Sequence, residues 1–215
     1  MEAFALLNDK VNLTSSFAKT MRFATESANK KLLLNAKLNF AARLHDVSEF
    51  SKALVILKEV STDNSLSKSE NLYILSLLII NSIKLDRTSD IDSYYKELQF
   101  MVSHNPTEGP EYWLATGMYL DLKKQCLRAG VAYQRLATGF KQGRDDEIYV
   151  EGIVQLGALY SKELKRDSAD YYFRLAGLDF KKTINYHSSN RVYQKALTEH
   201  LKRFKQPESL LGELN

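Results

Sequence analysis

Small side chains recur along this chain at a nearly constant interval, with large apolar ones arranged around them in the same order each time. Ala41, Ile79, Gly117 and Gly157 lie 38, 38 and 40 residues apart; Ile79 keeps the phase without being small. Around Gly157 stand Leu156, Tyr160, Ala169, Phe173 and Ala176, and around Gly117 stand Trp113, Leu120, Ala129, Tyr133 and Leu136. Two further units are in phase: Phe40, Leu44, Phe50, Ala53, Leu57 and Val60 about Ala41, and Leu78, Ile91 and Tyr95 about Ile79. Two helices approach closely only where a small residue sits at their crossing, and bulky neighbours then fill the space around it. A unit of this length holds two helices and a turn and cannot bury its apolar face alone, so successive units must stack.

This pattern resembles the tetratricopeptide repeat (TPR) over residues 31–182, in a divergent form. The step exceeds the family's period of about 34, and a proline near the unit's end is present only at Pro106. The stretch from Val47 to Leu54 is similar to the turn into the second helix of such a repeat. The resemblance implies an all-α fold: a right-handed superhelix of TPR-like antiparallel helix pairs with terminal capping helices. It points to a longer-helix relative, such as the tetratricopeptide-like sensor regions of bacterial regulators. The expected organisation has a 1–30 helical segment packing on the first repeat, four helix pairs over 31–182, a capping helix over 183–206 and a tail at 207–215. In the first of these, Thr14 or Ser15 would cap a helix carrying Phe17, Met21 and Ala24. In the third, Ser188, Ser189 and Asn190 would cap a helix carrying Val192, Tyr193, Ala196, Leu197, Leu201 and Phe204, stopped by Pro207.

Composition narrows the setting. A single cysteine, Cys126, allows no internal disulfide and no cysteine-based metal site, which suits a reducing cytoplasm. The opening residues Met1 to Phe4 lack the basic and apolar segments of a secretory signal. The most apolar run, Leu72 to Ile80, falls short of the roughly 20 residues a bilayer span needs and reads as a buried helix, so no membrane is expected as partner. A net charge of +4 with 26% charged residues is an ordinary surface and argues against direct nucleic-acid binding. With three prolines and scattered glycines, composition marks no linker, and the chain reads as one cooperative unit.

The residues that could carry chemistry form no recognised set. His45, His104, His187 and His200 have no metal-type spacing and read as solvated or near helix caps; no Gly-Lys-Ser/Thr loop exists for nucleotide phosphates. Cys126, at the start of a second helix, reads as a buried inert thiol. Asp145, Asp146 and Glu147 read as charge favoured at a helix N-terminus. Trp113, Tyr119, Tyr133, Tyr171 and Tyr172 at helical spacing read as core. Lys181, Lys182, Arg191, Lys195, Lys202, Arg203 and Lys205 read as a solvated terminal face. The expectation is a chain that is not an enzyme and has no cofactor.

In the family that the chain resembles, the first helix of each pair lines a concave binding side. Transferring the phase places there Asn35, Leu38, Ala42 and His45, then Tyr73, Ser76, Ile80 and Lys84, then Glu111, Leu114, Met118 and Asp121, and finally Glu151, Val154, Ala158 and Ser161. The positions of the family's carboxylate clamp hold Leu38, Ala42, Ser76, Ile80, Leu114 and Met118, so no clamp is expected. What the resemblance implies is an interaction module, a scaffold or adaptor, binding a peptide or helix of a partner protein through apolar anchors. The alternative it implies is a sensor or regulatory domain of a bacterial transcriptional or signalling regulator. Self-association into a homo-oligomer is a further expectation, from exposed apolar repeat edges.

Overall fold

The computed structural model describes residues 10–103, 109–139, 147–182 and 187–205, and among these it is all-helical. Ten helices follow one another: α1 (Lys10–Glu26), α2 (Lys30–Asp46), α3 (Phe50–Val60), α4 (Lys68–Lys84), α5 (Ile91–Ser103), α6 (Pro110–Leu122), α7 (Cys126–Gly139), α8 (Glu147–Lys162), α9 (Arg166–Lys182) and α10 (His187–Arg203). Where the sequence reading expected one unit, the fold has two compact units, residues 1–107 and 108–215.

In the first unit α2 packs on α3 and α4 on α5, each pair a helix hairpin, while α3 joins the two hairpins by packing on α4. The helix α1 lies on α2, with the Phe17 and Phe40 rings stacked at 3.7 Å and Leu13 fully buried. Because Leu13 reaches the core, this helix begins before Thr14 and Ser15, the caps the sequence suggested. The run Leu72 to Ile80 is buried apart from the half-buried Tyr73. Its helix opens with a capping box: Ser67 Oγ accepts from the Glu70 backbone N–H, and Glu70 accepts from the Ser67 N–H. Lys31 of α2 also donates to the Glu70 carboxylate, at 2.6 Å. That ammonium, with the Ser67 donors, holds the Glu70 carboxyl at about 2, well below the usual range for Glu.

In the second unit α6 packs on α7 and α8 on α9; α7 and α6 both pack on α8, and α10 closes against α8 and α9. Gly117 of α6 faces Tyr133 of α7 so closely that a Cβ would overlap the buried ring. Gly157 of α8 stands against Phe173 of α9 in the same way, where a Cβ would come within 3.1 Å of the ring. Gly152 likewise admits Leu136. The small residues that sequence placed at helix crossings therefore stand at them, and Ala129 and Ala169 are fully buried beside them.

The first helix of every hairpin ends in the same manner. Ser48, Asp86, Lys124 and Leu164 have φ of 62°, 55°, 59° and 60°, the left-handed conformation usually left to glycine. Behind each, a backbone N–H reaches back five residues: Glu49 to Leu44 O, Arg87 to Ser82 O, Gln125 to Leu120 O and Lys165 to Tyr160 O, all within 2.8–2.9 Å. These four positions lie 38, 38 and 40 residues apart, and each falls seven residues after Ala41, Ile79, Gly117 or Gly157. Such turns return the chain on itself, after three residues in three of the hairpins and after six between α4 and α5, which makes each pair a hairpin.

Sequence expectations for the tail 207–215, Pro106, His104, Asp145 and Asp146 lie outside the described residues, as do those on the Lys181, Lys182 and His187 side chains and the side-chain caps Ser188 to Asn190. Gly117→Ala is expected to destabilise the fold by about 2 kcal/mol, because the buried Tyr133 ring cannot move aside. Gly157→Ala, facing a looser contact, should lose less; urea unfolding that showed the reverse order would contradict the geometry.

Candidate functional site

The sixteen positions expected on a binding side fall into two sets. Asn35 is exposed, while Leu38, Ala42, Tyr73, Lys84, Glu111, Asp121 and Ala158 are half-buried. His45, Ser76, Ile80, Leu114, Met118, Glu151, Val154 and Ser161 are buried. Several have partners inside their own unit. Ser76 donates to Leu72 O at 2.8 Å, Lys84 stands 5.0 Å over the Phe50 ring, and Asp121 pairs with Lys162 at 2.7 Å. In the second unit every strongly apolar member of the set, Leu114, Met118 and Val154, belongs to the core.

Two histidines expected to be solvated or near helix caps lie in the last turns of their helices, buried and hydrogen-bonded. His45 Nδ1 lies 3.0 Å from Asn81 Oδ1. The Asn81 amide N–H donates to Leu77 O at 2.7 Å, so its oxygen is the acceptor and the imidazole donates. His200, fully buried on α10, has Nε2 2.7 Å from Asp170 Oδ1 and Nδ1 3.1 Å from Ser161 Oγ. The carboxylate only accepts, so in the neutral ring Nε2–H donates to Asp170 and Nδ1 accepts the Ser161 hydroxyl proton. Serine, histidine and aspartate thus stand in one hydrogen-bonded row joining α8, α9 and α10. The row resembles a nucleophile relay in composition alone, since the Ser161 hydroxyl and the imidazole are shut away from any substrate.

Apolar side chains at the surface are more telling. In the second unit Leu127, Val131, Leu164, Tyr171 and Leu178 are between 55% and 81% exposed. Leu127, Val131 and Gln134 follow at one-turn intervals down α7, on the face opposite the buried Ala129, Ala132, Tyr133 and Leu136. Gln134 donates to the Tyr160 hydroxyl at 2.6 Å. The Tyr160 and Tyr172 rings stack at 5.6 Å and 17°, and Tyr171 meets Tyr172 edge-on at 5.0 Å. Lys165 lies 5.4 Å over Tyr160 and pairs with Glu163 at 2.8 Å, and that hydrogen bond raises its pKa. Partial burial, then the neighbouring Tyr160 and Tyr171, push the Tyr172 phenol up, so it stays a neutral donor. The result is a ribbon of aromatic and aliphatic surface from α7 across the end of α8 to α9.

Of the aromatic residues expected in the core, Tyr133 is there, Trp113, Tyr119 and Tyr172 are half-buried, and Tyr171 is exposed. Cys126 is half-buried and not wholly enclosed. Arg191, Lys195, Lys202, Arg203 and Lys205 are exposed on and just beyond α10, as a solvated face would be. Among the described residues no group of His, Cys, Asp and Glu could hold a metal ion, and no helix is long and apolar enough to cross a membrane. No protein-family model matches the chain, and comparisons with curated proteins and with solved structures return no match.

Removing the imidazole would leave Ser161 and Asp170 short of a partner and open a hole between three helices. His200→Ala should therefore lose about 3 kcal/mol of stability. Lys195→Ala, on the exposed face of the same helix, should change it by less than about 0.5 kcal/mol. Similar urea midpoints for the two variants would show that the row does not hold α10.

Proposed function

We propose that this chain is a protein-protein interaction module, a scaffold or adaptor, that holds a peptide or helix of a partner protein. The observation that carries the reading is the ribbon of large apolar side chains left in water on α7, the α8–α9 turn and α9. Contiguous exposed apolar surface is a mark of binding sites, because a soluble protein gains nothing by keeping it. The tyrosines add rigid amphipathic contact area with few rotatable bonds, the kind of side chain enriched where proteins meet. An amphipathic helix read through anchors one turn apart suits the Leu127 and Val131 spacing.

The binding face favoured here in the second unit differs from the one the repeat phase suggested. Leu114, Met118 and Val154 already fill the core, so a partner would find its apolar contacts on the second helices, not the first. In the first unit Leu38, Ala42 and Tyr73 keep partial access and could extend a binding face there. A binding role in preference to catalysis is supported by the enclosure of the serine–histidine–aspartate row seen among the described residues.

The test starts from a peptide selected against the full-length chain out of a displayed random library, its affinity read by fluorescence anisotropy. The double variant Val131→Asp with Tyr171→Asp changes exposed positions only, so the fold should persist by circular dichroism. It should bind the peptide at least about tenfold more weakly, roughly 1.4 kcal/mol. Arg191→Ala should bind as the parent does. Equal affinity for the parent and the double variant would reject this face.

A further inference from the structure

The first unit carries a cleft of about 550 Å³ between α3 and the turn that joins α4 to α5. The turn owes its shape to the left-handed Asp86 and to the Arg87 N–H bond to Ser82 O, which set residues 87–90 along the cleft. One wall is apolar, made by Leu54 and Val55 of α3. Val55 is 67% exposed, an unusual amount for a valine on a helix whose other face is core.

The opposite wall is rich in donors. Lys58 and Asp90 neutralise one another at 2.8 Å, and the Asp90 carboxyl is further held down by Ser89 and Tyr94. That leaves Arg87 as the uncompensated charge: its guanidinium is exposed, and among the described residues no carboxylate pairs with it. Ser82 is only 4% exposed, and its hydroxyl, which makes no hydrogen bond among the described residues, lines the cleft. The buried Ser76 hydroxyl, earlier in the same helix, instead bonds back to the preceding turn. The Ser82 oxygen is not one of the fully enclosed polar atoms, so it opens on the cleft and can donate to a ligand there. Thr88 brings a second hydroxyl to the same wall.

We propose that this cleft binds a small amphipathic anion, its oxyanion head held by Arg87, Ser82 and Thr88 and its hydrocarbon body laid against Leu54 and Val55. The guanidinium fork matches a planar carboxylate or a phosphate face, and the hydroxyls complete its hydrogen bonds. With Asp90 already neutralised, the net charge offered is one positive, which favours a head of one to two negative charges. The site lies wholly in the first unit and shares no residue with the ribbon on α7 and α9, so its success or failure leaves the proposed function untouched.

The experiment is an amide and methyl NMR titration of the full-length chain with three probes: inorganic phosphate, hexyl phosphate and hexanoate. Saturable shifts at Arg87, Thr88 and the Leu54 and Val55 methyls are expected with at least one of the six-carbon anions. The better of these two identifies the head as phosphate ester or carboxylate. It should bind about tenfold more tightly than inorganic phosphate, the effect of burying part of a hydrocarbon chain. Arg87→Gln, at an exposed position, should weaken that binding about tenfold with the spectrum otherwise unchanged, and Ser82→Ala should weaken it less. The proposal is overturned if neither six-carbon anion saturates, if Arg87→Gln binds as well as the parent, or if inorganic phosphate binds as tightly as both.

Discussion

The hairpins of the second unit depend on the missing side chain at Gly117 and Gly157. At each, an aromatic ring from the facing helix occupies the space a Cβ would need, Tyr133 in one case and Phe173 in the other. Glycine inside a helix costs about 1 kcal/mol relative to alanine. Complete burial of a large aromatic side chain contributes about 2 kcal/mol or more and offsets it. The first unit reaches the same end with other residues, since Ala41 and Leu57 stand at the equivalent phase and are both fully buried. Burial also drives the Tyr133 phenol far above its ordinary range, with the Asp121 and Glu151 carboxylates adding to it, so the buried ring carries a neutral hydroxyl.

The second constraint sits seven residues further on. Serine, aspartate, lysine and leucine all adopt the left-handed conformation where the first helices end. For residues with a Cβ this geometry is strained by about 1 kcal/mol. The backbone bonds that close each helix end, and the packing of the returning helix, outweigh it. Crossing and turn keep a constant separation, so the position of one dictates the position of the other. This explains why the spacing persists although no residue type is shared among the four turns.

Much of this was legible in the chain because helix crossings need particular residue sizes. Gly117, Gly157, Ala169 and their aromatic neighbours could be placed from spacing, as could the turn into a second helix within Val47 to Leu54 and the buried run in α4. The left-handed turns were not legible, for Ser48, Asp86, Lys124 and Leu164 carry no glycine signal. The division at residue 107 left only a faint trace, since Pro106, Gly109 and Pro110 cluster beside it without forming a linker-like stretch. The binding positions were harder still. A repeat phase says which face of a helix a residue occupies, yet not whether a neighbouring helix covers that face, and Ile80, Leu114 and Val154 turned out to be covered. The exposed pair Leu127 and Val131 could have been noticed as a second apolar stripe on α7, offset from Ala129, Tyr133 and Leu136. Histidine burial had no such trace, since the partners of His45 and His200 lie 30 or more residues away.

Surface and interior thus exchange their usual contents at a few places. Polar groups go inside as bonded sets, His45 with Asn81 and His200 with Ser161 and Asp170, while leucine, valine and tyrosine remain outside on α7 and α9. All of it presupposes the close approach of α6 to α7 and of α8 to α9. The direct measurement is a set of proton NMR cross-relaxation contacts from the Gly117 and Gly157 α-protons. They should reach the Tyr133 and Phe173 ring protons respectively, with ring-current shifts on both glycines. Glycine α-protons at ordinary shifts, showing no contact to either ring, would contradict the account.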